Sequence, residues 1–297
     1  MKQVKIMGNL FKCLLLSVLL AACNNEEVVT PADQASAAVG DRNARLDPLT
    51  RLVNDAGLSI QYEKSGKFFG KISKIGNAPV NSQYVTYTYD DSNPAALWIS
   101  KKTYKSSNNS LIGEHNFKII NGLCIESIDE KGNLFEYKYN PQGYLDEVNK
   151  SDTAYVLKES WKHQYDWVYR LTKIKHQKDG KPYHTYNFTY TQIEDKYPLN
   201  FPTDNIDDIN YNHIGGSYIG GINDKYLPYF GKHTSPLIDV MIDNNDVTGQ
   251  IMTGASIYCS GYVVDSDGLV ISKNLTQYSA GWTETFSYSA TSWQGIP

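Results

Sequence analysis

The chain has 297 residues, a formal net charge of −4 and a pI near 5.9. That acidity excludes the electrostatics of a phosphate-tracking protein, so no nucleic-acid partner is expected. Tyrosine is the compositional outlier, with 23 Tyr against 9 Phe and 5 Trp, and a residue with an apolar ring and a wet hydroxyl suits half-buried strand faces.

The chain opens with the basic stretch Met1-Lys-Gln-Val-Lys5, and a mostly apolar run follows from Leu10 to Leu20. A basic start, a short apolar core and small residues mark a secretory signal, and the run is short for a membrane span. Leu20-Ala21-Ala22-Cys23 resembles the lipobox of bacterial lipoproteins. That resemblance implies a lipoprotein signal peptide over 1–22, removed on export, and a lipid attachment at Cys23 that makes the membrane a partner through the anchor. Asn24-Asn25-Glu26-Glu27 resembles the signal that sends some lipoproteins to the outer cell surface. The expected localisation is therefore an outer membrane lipoprotein, on the cell surface or the periplasmic face. Residues 23–45 are rich in Ala, Asp, Gln, Ser and Pro without periodicity, which reads as a flexible tether.

Residues 46–297 read as a single β-domain of repeated hairpins. An aromatic-x-Tyr pair recurs at Tyr87-Thr-Tyr89, Tyr137-Lys-Tyr139, Phe188-Thr-Tyr190 and Phe286-Ser-Tyr288; the steps are about fifty residues, the last about twice that, which is an internal repeat. Turn signals lie upstream of three pairs, at Glu130-Lys-Gly-Asn133, Lys178-Asp-Gly-Lys181 and Asp265-Ser-Asp-Gly268. Glycine there supplies the positive φ of a tight hairpin, so each unit is expected to begin with one. Phe135, Tyr137 and Tyr139 fall on one face of a period-two pattern while Glu136 and Lys138 fall on the other. Asn140-Pro-Gln-Gly143 then hands the chain to the next strand at Tyr144.

This pattern predicts an all-β fold: a large antiparallel meander of about ten to fourteen strands, curled or closed into a barrel-like sheet to protect its edges. A membrane-spanning barrel is disfavoured, because the outward positions carry Lys, Glu, Asn and Thr rather than a lipid-facing aliphatic band. The lipobox, the Tyr-x-Tyr hairpins and the Gly/Pro-rich segment together resemble bacterial lipoproteins containing a domain of unknown function with a porin-like fold. The hairpins also resemble the tyrosine-aspartate repeats of large bacterial shell proteins. The first resemblance implies a curved or closed soluble barrel and supplies no activity.

The segment 191–246 departs from the repeat, with Pro198, Pro202, Pro228, Pro236 and the run Ile214-Gly-Gly-Ser-Tyr-Ile-Gly-Gly221. Long irregular stretches in compact domains are usually functional or disordered; the aromatics Tyr226, Tyr229 and Phe230 argue against disorder, and this one is expected to plug or cap the barrel. Trp282, Tyr218, Tyr226 and Tyr229 are the ligand-binding candidates, as aromatic platforms beside polar groups that suit a glycan or a hydrophobic small molecule. Cys124 and Cys259 form either one disulfide or two separate buried thiols.

No catalytic constellation stands out. The six histidines make no His-x-x-x-His pair, no metal is expected, and no cofactor is either. The glycine run lacks the order of a phosphate loop or a nucleophile elbow. The expectation is a non-enzymatic, monomeric, lipid-anchored envelope protein with a ligand- or partner-binding β-domain. The alternatives are a carrier of a lipid or other hydrophobic molecule, or a structural, adhesive surface module.

Overall fold

The structure is a computed structural model that describes residues 51–76, 81–194, 220–224, 226–232, 236–252, 256–265, 269–277 and 280–289. Every regular element among them is a strand. The first six are β1 (Arg51–Asp55), β2 (Leu58–Tyr62), β3 (Ile72–Ile75), β4 (Gln83–Asp90), β5 (Leu97–Lys105) and β6 (Ser110–Ile120). The next six are β7 (Leu123–Ile128), β8 (Leu134–Tyr139), β9 (Leu145–Ser151), β10 (Leu157–Tyr165), β11 (Leu171–Lys178) and β12 (Lys181–Glu194). After a long connection come β13 (Pro236–Asn245), β14 (Gln250–Ile251), β15 (Ile257–Val264), β16 (Val270–Gln277) and β17 (Ala280–Ser289).

Apart from β14, each strand pairs antiparallel with its sequence neighbours, and β1 pairs with β17, Leu52 opposite Tyr288, to close the ring. Sixteen strands make the barrel; the two-residue β14 only hooks onto the end of β13, which pairs directly with β15. The expected strand count was too low because β1, β2, β3 and β14 are too short to show alternation. The unit from Ala44 to Pro297 is compact in itself and contains the whole ring and its core, so it has what it needs to fold without residues 1–43.

Period two sorts the side chains cleanly. Inward positions carry Leu52, Ile99, Phe117, Phe135, Trp161 and Ile174, all fully buried. Outward positions from β5 to β10 carry cross-strand ion pairs, Lys102–Glu114, Lys118–Glu126 and the Lys138–Glu147–Lys162 triplet. A hydrocarbon environment would leave these charges without solvation, so this part of the wall is suited to water.

The repeat now has a physical meaning. The first aromatic of each pair, Tyr87, Tyr137, Phe188 or Phe286, is buried inside the barrel. The second, two residues on, donates its hydroxyl to a main-chain carbonyl at the start of the preceding strand: Tyr89 to Ile72, Tyr139 to Cys124, Tyr190 to Leu171 and Tyr288 to Val270. Tyr62, Tyr165 and Tyr262 do the same with Leu52, Leu145 and Ile238. Strand direction puts all seven at one end, here termed the tyrosine rim.

A second device recurs in the loops. In Asp129–Asn133, Asn140–Tyr144, Asp152–Val156 and Asp166–Arg170 the first side chain accepts from main-chain N–H groups two and four residues on. The fourth residue of each loop takes a positive φ: Gly132, Gly143, Tyr155 and Tyr169. Asp265 caps Leu269 in the same way. That last turn joins β15 to β16, one strand before the pair in β17, so the expected hairpin-then-pair order holds for two of the three turns.

Cys124 on β7 and Cys259 on β15 sit in nearly opposite walls as two separate buried thiols. The disulfide reading is corrected accordingly, because the bore separates the two strands.

Candidate functional site

The irregular connection is narrower than the expected 191–246, since residues 191–194 continue β12 and β13 begins at Pro236. Of what lies between, 220–224 and 226–232 are described, and nine of these twelve residues are buried. The described part of this strap packs against inward-facing side chains of the wall, as a plug inside the barrel.

Its polar atoms meet an inward cluster on β4–β8. Asp224 Oδ2 lies 2.8 Å from Lys101 Nζ and accepts from the Tyr87 hydroxyl at 2.8 Å. Asn223 Nδ2 faces His115 Nε2, Ser127 Oγ and the Tyr137 hydroxyl at 3.3, 3.2 and 3.2 Å. Burial, with Lys101 adding to it, holds the His115 pKa down to about 3, so the ring is neutral. The Tyr226 hydroxyl donates to Asp55 Oδ2 at 2.7 Å, and Phe230 packs edge-on against Phe117 and Tyr137. Near the rim Tyr229 offers its carbonyl to the Cys124 N–H, its hydroxyl accepts from Lys71, and Lys232 N–H reaches the Gly143 carbonyl.

One glycine is essential to this fit. A Cβ at Gly221, whose φ is +75°, would stand 2.8 Å from the Trp161 ring and 2.9 Å from Val148. The same strap is thus secured by polar bonds and by the absence of a side chain.

The cluster around Ser127 and His115 has the residue types of a hydrolase, but every member is buried under the strap and the polar atoms are already engaged with one another. The exposed part of the region is the rim beside it. Tyr144 stacks on Tyr169, ring centroids 5.0 Å apart and 3° from parallel, and tilts against Tyr165. Lys232 Nζ lies 5.9 Å from the Tyr144 ring. On the same loop as Tyr169, Trp167 is 88% exposed, with Asp166 and Arg170 paired next to it. Burial and the neighbouring Tyr169 raise the Tyr144 pKa, so its hydroxyl stays a donor.

The aromatics expected to bind a ligand divide by place: Tyr226 and Tyr229 lie inside the bore within the strap, and Trp282 is half-buried on β17 with its indole N–H toward Glu284. Tyr218 and Cys23 lie outside the described residues. Sequence reasoning passed over Lys101, Ser127 and Asp224 and weighed His115 only as a metal ligand, since the four are scattered along the chain. It passed over Tyr144 and Tyr169 too, although their loops repeat the Asp/Asn-x-x-Gly pattern with Tyr169 standing in for Gly.

No protein family and no curated protein matches the chain. Among solved structures it is similar to a porin-like protein from Bacteroides uniformis, 14% identical over 78% of this chain and 95% of that one, with a TM-score of 0.43. It is also similar to a porin-like protein from Bacteroides vulgatus, 11% identical over 80% and 98%, with a TM-score of 0.46. Both are described by the same porin-like wording that the sequence resemblance implies.

Proposed function

We propose that this is a non-enzymatic, lipid-anchored envelope protein whose barrel is a ligand-binding domain, with glycans as the ligand class and the Tyr144–Trp167–Tyr169 rim as the binding face. The lipobox-like Leu20-Ala21-Ala22-Cys23 supports the anchor. The observation that carries the binding role is the division of the barrel surface: the wall from β5 to β10 is ion-paired, the bore holds the strap, and exposed aromatics gather on the loops at the rim. Flat aromatic faces beside hydrogen-bonding side chains stack on sugar rings while polar neighbours take the hydroxyls. A carrier of acyl chains would need the strap out of the bore, which makes that reading the less economical one.

The test is isothermal calorimetry of residues 46–297 against an oligosaccharide panel, repeated with Trp167→Ala and Tyr144→Ala. A saturable heat that weakens at least tenfold in both variants, a change of about 1.4 kcal/mol, supports the role. Saturable binding indifferent to both substitutions, or no binding at all, overturns it.

A further inference from the structure

Large apolar side chains exposed to solvent are unevenly placed. A few sit at the tyrosine rim, but most stand on the opposite rim, among them Leu111, Ile112, Tyr155, Val156, Leu157 and Val247, each at least half exposed. They belong to the β5–β6, β9–β10 and β13–β14 connections and the strand ends beside them. Contacts tie these loops into one rim. A Cβ at Gly113 would meet Glu130, Gly132 faces Thr153, Asp179 N–H reaches the Lys158 carbonyl, and Asp246 N–H reaches Tyr183.

The tips stand on three separate connections, one to three side chains on each, so they match a broad, deformable surface better than a single shaped pocket. Exposed Lys105, Lys131 and Lys181 are interleaved with them, as are exposed Glu130, Asp179 and Asp246. Apolar and aromatic tips with lysines between them are the composition that enters a headgroup layer. Tyr155 adds a second sign: it is 78% exposed and holds φ +59°, where two sister loops place glycine. An L-residue is disfavoured there, and so exposed a side chain gains little inside the fold to offset it.

We infer that this far rim docks on the surface of a phospholipid bilayer, inserting the apolar tips among the headgroups. The inference rests on the anchored reading above. β1 begins at the tyrosine rim, yet the roughly 27 residues between Cys23 and Arg51 can extend to about 90 Å. The barrel, at about 3.3 Å per residue along tilted strands, is roughly 30 Å tall. The chain is long enough to pass the barrel and bring the far rim down onto the bilayer that holds the anchor. That orientation turns the Tyr144–Trp167–Tyr169 face outward.

The experiment is co-sedimentation of residues 46–297, which carry no acyl group, with vesicles of phosphatidylethanolamine and phosphatidylglycerol. Binding is expected, and the joint variant Leu111→Ser, Ile112→Ser, Val156→Ser, Leu157→Ser should lower it at least tenfold while keeping its melting temperature. A Tyr155→Trp chain should gain fluorescence quenching by brominated lipid relative to the parent. No vesicle binding, binding that the serine variant retains, or a rim that instead drives self-association in the absence of vesicles overturns the docking. Intact mass of the membrane-extracted full chain reports acylation at Cys23 separately, so failure of the anchor and failure of the rim are told apart.

Discussion

Lys101 and Asp224 meet 2.8 Å apart inside the barrel, their side chains 8% and 0% exposed, and between them they fasten the strap to the wall. Removing one charge leaves the other buried without its counterpart, which costs about 3–5 kcal/mol in comparable pairs, whereas replacing both by apolar groups costs far less. Lys101→Met and Asp224→Leu should each lower the urea midpoint strongly, and the double variant should recover much of the loss. A double variant that is merely the sum of the two would show that the pair does not act as one unit.

Gly221 gives an independent handle on the same strap. Gly221→Ala drives a methyl into Trp161 and Val148 from a backbone conformation that alanine disfavours. The expected result is a strap that leaves its seat while the ring persists. Limited proteolysis should then cut at the strap first, with strand content by circular dichroism nearly unchanged. Cleavage no faster than in the parent would count against it.

The tyrosine rim should respond in small, equal steps. Tyr165→Phe, Tyr190→Phe and Tyr288→Phe each delete a hydroxyl bond to a carbonyl, worth about 1 kcal/mol. The effects should add, because the three sit on separate hairpins. Denaturation of single and triple variants measures this directly.

Loop strain predicts a gain rather than a loss. Tyr155→Gly relieves a positive φ on an exposed loop and should raise stability by up to about 1 kcal/mol. Tyr169→Gly should gain less, since that ring also stacks on Tyr144.

Acid should weaken the fold through its neutral histidines. Burial holds His115 near about 3 and, against a smaller opposing pull from the Asp146 backbone, His163 near about 4, while an unfolded histidine titrates near about 6.5. The unfolded chain therefore binds protons that the folded chain refuses. Stability is complete above about pH 6.5 and falls as pH drops below it, by roughly 2 kcal/mol per histidine at pH 5. Urea midpoints at pH 7 and pH 5, compared with those of His163→Phe, check the slope; an equal slope in the variant would remove His163 from the account.

How much of this was legible in the sequence follows from the range of the signals. The closed β architecture, the inward face of Tyr137 and Tyr139 and the plugging segment were readable because alternation and glycine turns are local patterns. The partners of Asp224 were not, since Tyr87, Lys101 and Asp224 come together only once the ring has closed. The Asp166–Arg170 loop sits between the two cases: its capping aspartate is visible, but tyrosine at the glycine position hides the turn.

The pairing of β1 with β17 has a consequence for how the protein is made. An antiparallel ring has no edge once sealed, but until residues near Phe286 arrive the chain carries two open strand edges able to recruit any extended segment. The seam joins residues more than two hundred positions apart, so it is among the slowest contacts to form. The chain must therefore be shielded until its last strand is available, and the time spent with an open seam, rather than the stability of the finished ring, sets its exposure to aggregation.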